Sequence, residues 1–478
     1  MKKFDAVVIG SGPNGLVAAI VMQQAGLSVL LLEAKPEIGG GLRTSEVTLP
    51  GFHHDICSAI HPMAAASPVL QLLPLSEFGL EYIYPDIAAA HPFDDGSAAL
   101  LLKSLEKTSD LLGNDSSKYL DLIKPLVLDW NHITRDALGP LAIPSHPLAM
   151  AKFGLNALRS AQSIANEFTG KHAKGLWAGM AGHSIQPFTN IASSAIGLIL
   201  LAAGHVRGWP IPKGGSQSIA NALASYFKSL GGVIETNSPV NNLNQLPESK
   251  AILFDVTPRQ LLQIAGEKFS SLYKWQLNRY KYGMGVFKID WALSEPVPFK
   301  NADCKKAGTI HIGNTYEEIA EAEHQTSLGN HPEKPFVLLA QQSLFDSTRA
   351  PEGKQTLWGY CHVPNGSTKD RTEAIENQIE RFAPGFKDVI IERKVKNTSD
   401  FQSYNPNYIG GDINGGVIDI TQLFTRPALR LSPYRTSAKG IYICSSSTPP
   451  GGGVHGMCGY HAAKRALKDI FGLKAMAI

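Results

Sequence analysis

The sequence predicts an α/β fold, a Rossmann-like dinucleotide-binding domain interrupted by an inserted α+β domain. Three observations predict it. The short apolar run Ala6-Val7-Val8-Ile9 leads into Gly10, Gly12 and Gly15 in the spacing G-x-G-x-x-G, then a helical pattern and a second run, Val29 to Leu32. A glycine turn, helix, glycine pair and strand return between Gly208 and Thr236, and Ala251 to Asp255 read as a further buried strand. The region from about 70 to 200 changes character, being rich in Leu, Ala, Ser and Pro, with no phosphate-binding loop.

Each part of the first unit has a mechanical reason. The first glycine permits the tight turn, the second lets backbone approach a pyrophosphate, and the third lets helix pack close to strand. Pro13 and Asn14 open the helix, whose N-terminal N–H groups and dipole suit phosphate. Gly26 closes it, and Glu33, with Ala34 beside it, stands at the strand tip, placed to accept from a ribose hydroxyl. Met1-Lys2-Lys3 before an apolar run resembles a secretory leader. The glycine loop breaks that run at once, so this segment is expected to be structural.

Bulk numbers narrow the function classes. With 478 residues, the chain can hold two or three domains with large cores. Apolar content of 44% and charged content of 18% are globular values. A net charge of +3 leaves nucleic-acid binding without an electrostatic footprint. The five cysteines are scattered without C-x-x-C, which argues against a disulfide framework, a zinc site or a redox dithiol; no metal is expected, and a reducing, cytoplasmic location is the simplest home.

Past Glu33, Gly39 and Gly40 form a second glycine turn, followed by Gly41 and by Arg43 and Thr44 in reach of a bound cofactor. The pair of motifs, G-x-G-x-x-G…E and E-x-x-x-x-x-G-G…T, is similar to the FAD-binding start of flavin amine oxidases and phytoene desaturases. In many of these an arginine follows the glycine pair directly; here Gly41 stands there and the arginine is Arg43. The order around Lys213 to Val240 resembles the same region of phytoene desaturases, in which the valine backbone contacts adenine, so Val240 joins the set. The stretch STPPGGGVHG, residues 447–456 with Gly452, Gly453, Val454 and His455, resembles the C-terminal FAD signature of that group. There, the loop and helix N-terminus meet the pyrimidine side of the flavin, where a helix dipole stabilises negative charge.

Together these blocks look closest to bacterial phytoene-dehydrogenase-like oxidoreductases, related to the pyridine nucleotide-disulphide oxidoreductase domain-containing protein 2 group. The resemblance implies an amine-oxidase-type FAD-binding domain from 1–75, 205–260 and 405–478, with 76–204 and 261–404 as the substrate domain. It implies FAD as cofactor and dehydrogenation, or desaturation, of an apolar small molecule by hydride transfer to flavin N5. With no recognisable NAD(P)H domain, re-oxidation falls to oxygen, a quinone or another carrier. His61 and His455 are the candidate proton carriers, ahead of His461, because imidazole titrates near neutral pH. Amine oxidation and redox-neutral isomerisation are the rivals.

Within the substrate domain, helices are expected over Tyr119 to Trp130, Leu148 to Phe168 and the stretch RTEAIENQIERF. Strands are expected over Val286 to Ser294, Phe336 to Ser343 and Thr356 to Val363, with Trp291, Trp358 and Tyr360 as wall or core residues. Leu148, Ala151, Leu155 and Leu158 share one helical face, expected to pack on the core, with contact to a membrane surface as the second reading.

Overall fold

The computed structural model describes residues 3–423 and 425–478. Five strands form one all-parallel sheet, in the order Ile441–Ile443, Ala251–Phe254, Ala6–Ile9, Val29–Leu32 and Val233–Glu235. Its central strands are apolar throughout because both faces are covered. Ala6, Val8, Val29 and Leu31 pack on the helices Pro13–Gln24, Gln217–Ser229 and Met457–Ala466. Val7, Ile9, Leu30 and Leu32 face the opposite way, onto Leu261, Phe269, Tyr273 and Leu277. Leu261 belongs to the helix Pro258–Ala265, Tyr273 and Leu277 to the helix Ser271–Asn278, and Phe269 to the link between them. Two helices running past residue 260, the boundary that the sequence suggested, thus cover this face of the parallel sheet.

The second sheet has seven strands, ordered Ile390–Lys396, Gly285–Leu293, Gln355–Val363, Val337–Ala340, Ala307–Ile312, Ile87–Pro92 and Ala98–Leu102. Its pairs are antiparallel except Ala307–Ile312 with Ile87–Pro92. The two faces differ in chemistry. Phe287, Ile289, Trp291, Leu339, Leu357 and Cys361 pack on Ile375, Ile379 and Phe382 of the helix Thr372–Phe382, giving a dry apolar layer. Lys288, Asp290, Thr309, His311, Tyr360 and His362 alternate with them and point to the other face. That face looks onto the helices Lys171–Gly182 and Ser194–Val206, whose Leu176, Trp177 and Leu198 complete a second core with Leu338, Trp358 and Tyr360.

The hairpin Ile87–Pro92/Ala98–Leu102 precedes the two stretches of this region for which the sequence suggested helices. The expected helix over Leu148 to Phe168 is two, Pro147–Ala157 and Ala161–Ala165, the second capped by Ser160, whose Oγ accepts the Ser163 N–H. The expected core face of the first is also corrected. Ala149, Phe153 and Ala157 are buried, whereas Leu148 and Leu155 are 82% and 76% exposed and Leu158 is exposed too. The smaller alanine face lets this helix lie close to the helices Trp130–Ala137 and Ser194–Val206, so the leucines point outward. Among the described residues, no helix is long and apolar enough to cross a membrane.

Candidate active site

The C-terminal ends of the parallel strands open into a cavity of about 570 Å³, within the range of small-molecule sites. One wall is the glycine-loop side. Gly10, Gly12, Pro13, Asn14, Glu33, Ala34, Gly40, Gly41, Arg43, Val240, Gly453 and Val454 all border it. Residues from four distant segments of the sequence are thus brought together, as the motifs implied.

The turn leaves no room for side chains. A Cβ on Gly15 would lie 2.0 Å from the Gly10 carbonyl oxygen, and one on Gly12 would lie 2.6 Å from Asp255 Oδ2. Asp255, at the end of the neighbouring strand, accepts the Gly15 N–H at 2.9 Å. Burial pushes its carboxyl up to about 7 and the nearby Glu33 charge adds to that, while the Gly15 N–H works against it. No motif pointed to Asp255; only the strand register sets it against the glycine loop.

Glu33 is buried and well held. Its Oε2 accepts from the Ser11 N–H at 3.0 Å and the Ser11 hydroxyl at 2.5 Å; its Oε1 accepts from the Lys35 N–H at 2.9 Å and Arg43 at 3.2 Å. Arg43 also donates to the Glu37 carbonyl and lies over the Tyr404 ring. Arg43 thus fixes the acid at the strand tip as well as bordering the cavity.

Four expected site residues stand outside the cavity wall: Gly15, Thr44, Gly452 and His455. Thr44 donates to Asp55 at 2.7 Å and accepts from the Gln217 N–H, bracing the loop from behind. His455 accepts the Met457 N–H at Nδ1, so the proton sits on Nε2, which donates to the Gly452 carbonyl at 3.3 Å. Burial lowers its pKa to about 4. With both nitrogens bonded to its own loop, His455 shapes the helix start and is not placed to carry protons.

His61 differs. Its Nε2 lies 2.7 Å from Ser216 Oγ, and Ser216 donates its only hydroxyl proton to the Ser58 carbonyl at 2.7 Å. Ser216 therefore accepts the Nε2–H, and the unprotonated Nδ1 of His61 has no partner among the described residues. Burial lowers the pKa of His61 to about 4, so it is neutral near pH 7.

The other wall comes from the mixed sheet and its helices: Ile60, Met63, Leu200, Trp209, Leu338 and Trp358, with His183, Thr309 and Tyr360 among them. The charged residues bordering the cavity (Glu33, Lys35, Arg43 and Asp255) all lie on the glycine-loop side. Trp358 and Tyr360 were legible as wall candidates from their strand; His183, Thr309 and Trp209 carried no local signal. Lys288 sits behind the Trp358 ring, bound to Asp290, and does not border the cavity.

The glycine-loop wall fits a dinucleotide. Its glycines carry no side chains at the closest backbone approaches, and the buried Asn14 Oδ1 has no partner among the described residues.

Comparison with known proteins agrees with this geometry. The chain is 24% identical to the pyridine nucleotide-disulfide oxidoreductase domain-containing protein 2 of Mus musculus, over 98% of this chain and 94% of that one. It is 23% identical to the phytoene desaturase (lycopene-forming) of Pseudescherichia vulneris, over 96% and 97%. An oxidoreductase from Methanosarcina mazei shares the fold with a TM-score of 0.65 and 16% identity, covering 98% of this chain and 100% of that one. Residues 14–268, more than half of the chain, match the flavin containing amine oxidoreductase family. The chain belongs to that family and is an oxidoreductase of it.

Proposed function

We propose that the protein uses FAD to dehydrogenate an apolar small molecule. The observation that carries this reading is the cavity itself, with a dinucleotide-type glycine loop on one wall and a largely apolar, uncharged wall facing it. The family and the phytoene desaturase relative support it.

Gly10, Gly12, Pro13, Asn14 and Gly40 would take the pyrophosphate region, with Gly15, Thr44 and Gly452 holding the loops from behind. Glu33 and Ala34 would take the ribose, Val240 the adenine, and Gly41, Gly453 and Val454 the ring. When bound, FAD supplies the hydride acceptor, and oxygen, a quinone or another carrier takes the electrons on. The apolar wall excludes water and orients the C–H bond to be broken. Desaturation also releases a proton, and Nδ1 of His61 is the base placed to take it.

The wall that faces the glycine loop carries no carboxylate to hold an ammonium group, so amine oxidation is the weaker use of this site despite the family name. The exposed Leu148 and Leu155, with Lys152 between them, support a peripheral contact with a membrane surface as a source of apolar substrate.

The test is anaerobic mixing of the FAD-loaded protein with panels of apolar alkenes and alcohols and with primary amines. Bleaching of the visible flavin band by the apolar panel supports the proposal; bleaching by amines alone overturns it.

A further inference from the structure

The wall facing the glycine loop is not uniformly apolar. Three polar groups on it make no hydrogen bond among the described residues: Nδ1 of His183, Oγ1 of Thr309 and the hydroxyl of Tyr360. The mixed sheet sets Thr309 and Tyr360 along one face. His311 lies opposite Leu338, and Leu338 lies opposite Tyr360. Thr309 is two residues before His311 on the same face, and His183 reaches that row through its Nε2, 2.9 Å from Nε2 of His311. Leu200, Trp209, Leu338 and Trp358 surround them. The Thr309 hydroxyl is a buried atom without a partner among the described residues, and Nδ1 of His183 and the Tyr360 hydroxyl are free to bond a ligand in the cavity.

We propose that His183, Thr309 and Tyr360 hold a neutral oxygen function, a hydroxyl or a carbonyl, on an otherwise apolar substrate. This rests on the reading that the cavity is the site of dehydrogenation. The wall has no carboxylate for a cation and no lysine or arginine for an anion. The two hydroxyls donate or accept, and His183 does either, depending on which of the paired rings carries the shared Nε2 proton. A hydroxyl and a carbonyl are both accommodated; a pure hydrocarbon leaves all three groups unpaired.

The experiment titrates the FAD-loaded full-length protein with five compounds of one skeleton: indane, 1-indanol, 1-indanone, 1-aminoindane and indane-1-carboxylate. Dissociation constants are read from the shift of the visible flavin band. The proposal expects 1-indanol or 1-indanone to bind about tenfold or more tighter than indane. It further expects that preference to vanish in the variant His183→Phe/Thr309→Val/Tyr360→Phe while indane still binds. Indane binding as tightly as its alcohol and ketone, or tightest binding by the amine or the carboxylate, overturns it. If no compound, indane included, perturbs a flavin band that is itself intact, the dehydrogenation site lies elsewhere, and the proposal falls with the reading beneath it.

Discussion

His61 and Ser216 hold a single histidine tautomer between them: at 2.7 Å the serine oxygen accepts the Nε2–H, because its own proton is given to the Ser58 carbonyl. The lone pair of His61 is thereby fixed on Nδ1, on a ring that borders the cavity.

A base so placed makes a kinetic prediction. His61→Gln is expected to slow anaerobic flavin reduction by a factor of about 100 to 10,000 with the flavin band unchanged. Because burial holds the pKa of His61 at about 4, the wild-type reduction rate is expected to be flat from about pH 5.5 to 8. Rapid-mixing spectroscopy checks both; a rate that climbs with an apparent pKa near the ordinary histidine value contradicts the assignment.

Asp255 gives a stability prediction. Its carboxyl is raised to about 7 by burial first, so the folded protein holds a proton there that the unfolded chain, near pKa 3.9, has released. The stabilisation is full below about pH 4 and is lost as pH rises through about 7, with an upper bound of about 4 kcal/mol. Asp255→Asn keeps an acceptor for the Gly15 N–H and removes the titration. In cofactor-free protein, urea midpoints should show the wild type losing ground to the variant between about pH 4 and 8. Parallel pH curves would exclude the effect.

The glycine loop predicts a loss of cofactor. Gly15→Ala sets a methyl group 2.0 Å from the Gly10 carbonyl, so the helix start must move away from the strand. Purified Gly15→Ala is expected to be colourless and to stay so after FAD is added. Retention of a normal flavin band would show that this loop does not bind the cofactor.

The outward helix face predicts opposite responses from near neighbours. Leu155→Ser should change stability by no more than about 0.5 kcal/mol, whereas Phe153→Ala, which empties a buried site, should cost about 3–5 kcal/mol. Leu148→Ser/Leu155→Ser should also reduce co-sedimentation with phosphatidylcholine–phosphatidylglycerol vesicles. Undiminished sedimentation removes this face as the membrane contact.

Much of the glycine-loop wall was legible because its physics is local. The spacing of Gly10, Gly12 and Gly15 between two apolar runs encodes turn, helix and strand within the contiguous stretch Ala6 to Glu33. The mixed sheet was less so. Ile87–Pro92 is rich in alanine, with little intrinsic strand preference, and it forms a strand because it pairs with Ala98–Leu102 and Ala307–Ile312. The leucines of the helix Pro147–Ala157 misled because periodicity tells which residues share a face but not which face a neighbour covers. His183, Thr309 and Trp209 meet only through tertiary packing, and no spacing announces them. His455 sat in a strong motif, yet its hydrogen bonds to Met457 and Gly452 give it a structural part.

The most direct test of the central claim is heat release and chromatography of the cofactor from purified protein. The account predicts a yellow protein that releases FAD at about one per chain. A colourless protein that acquires no flavin when FAD is added would contradict it.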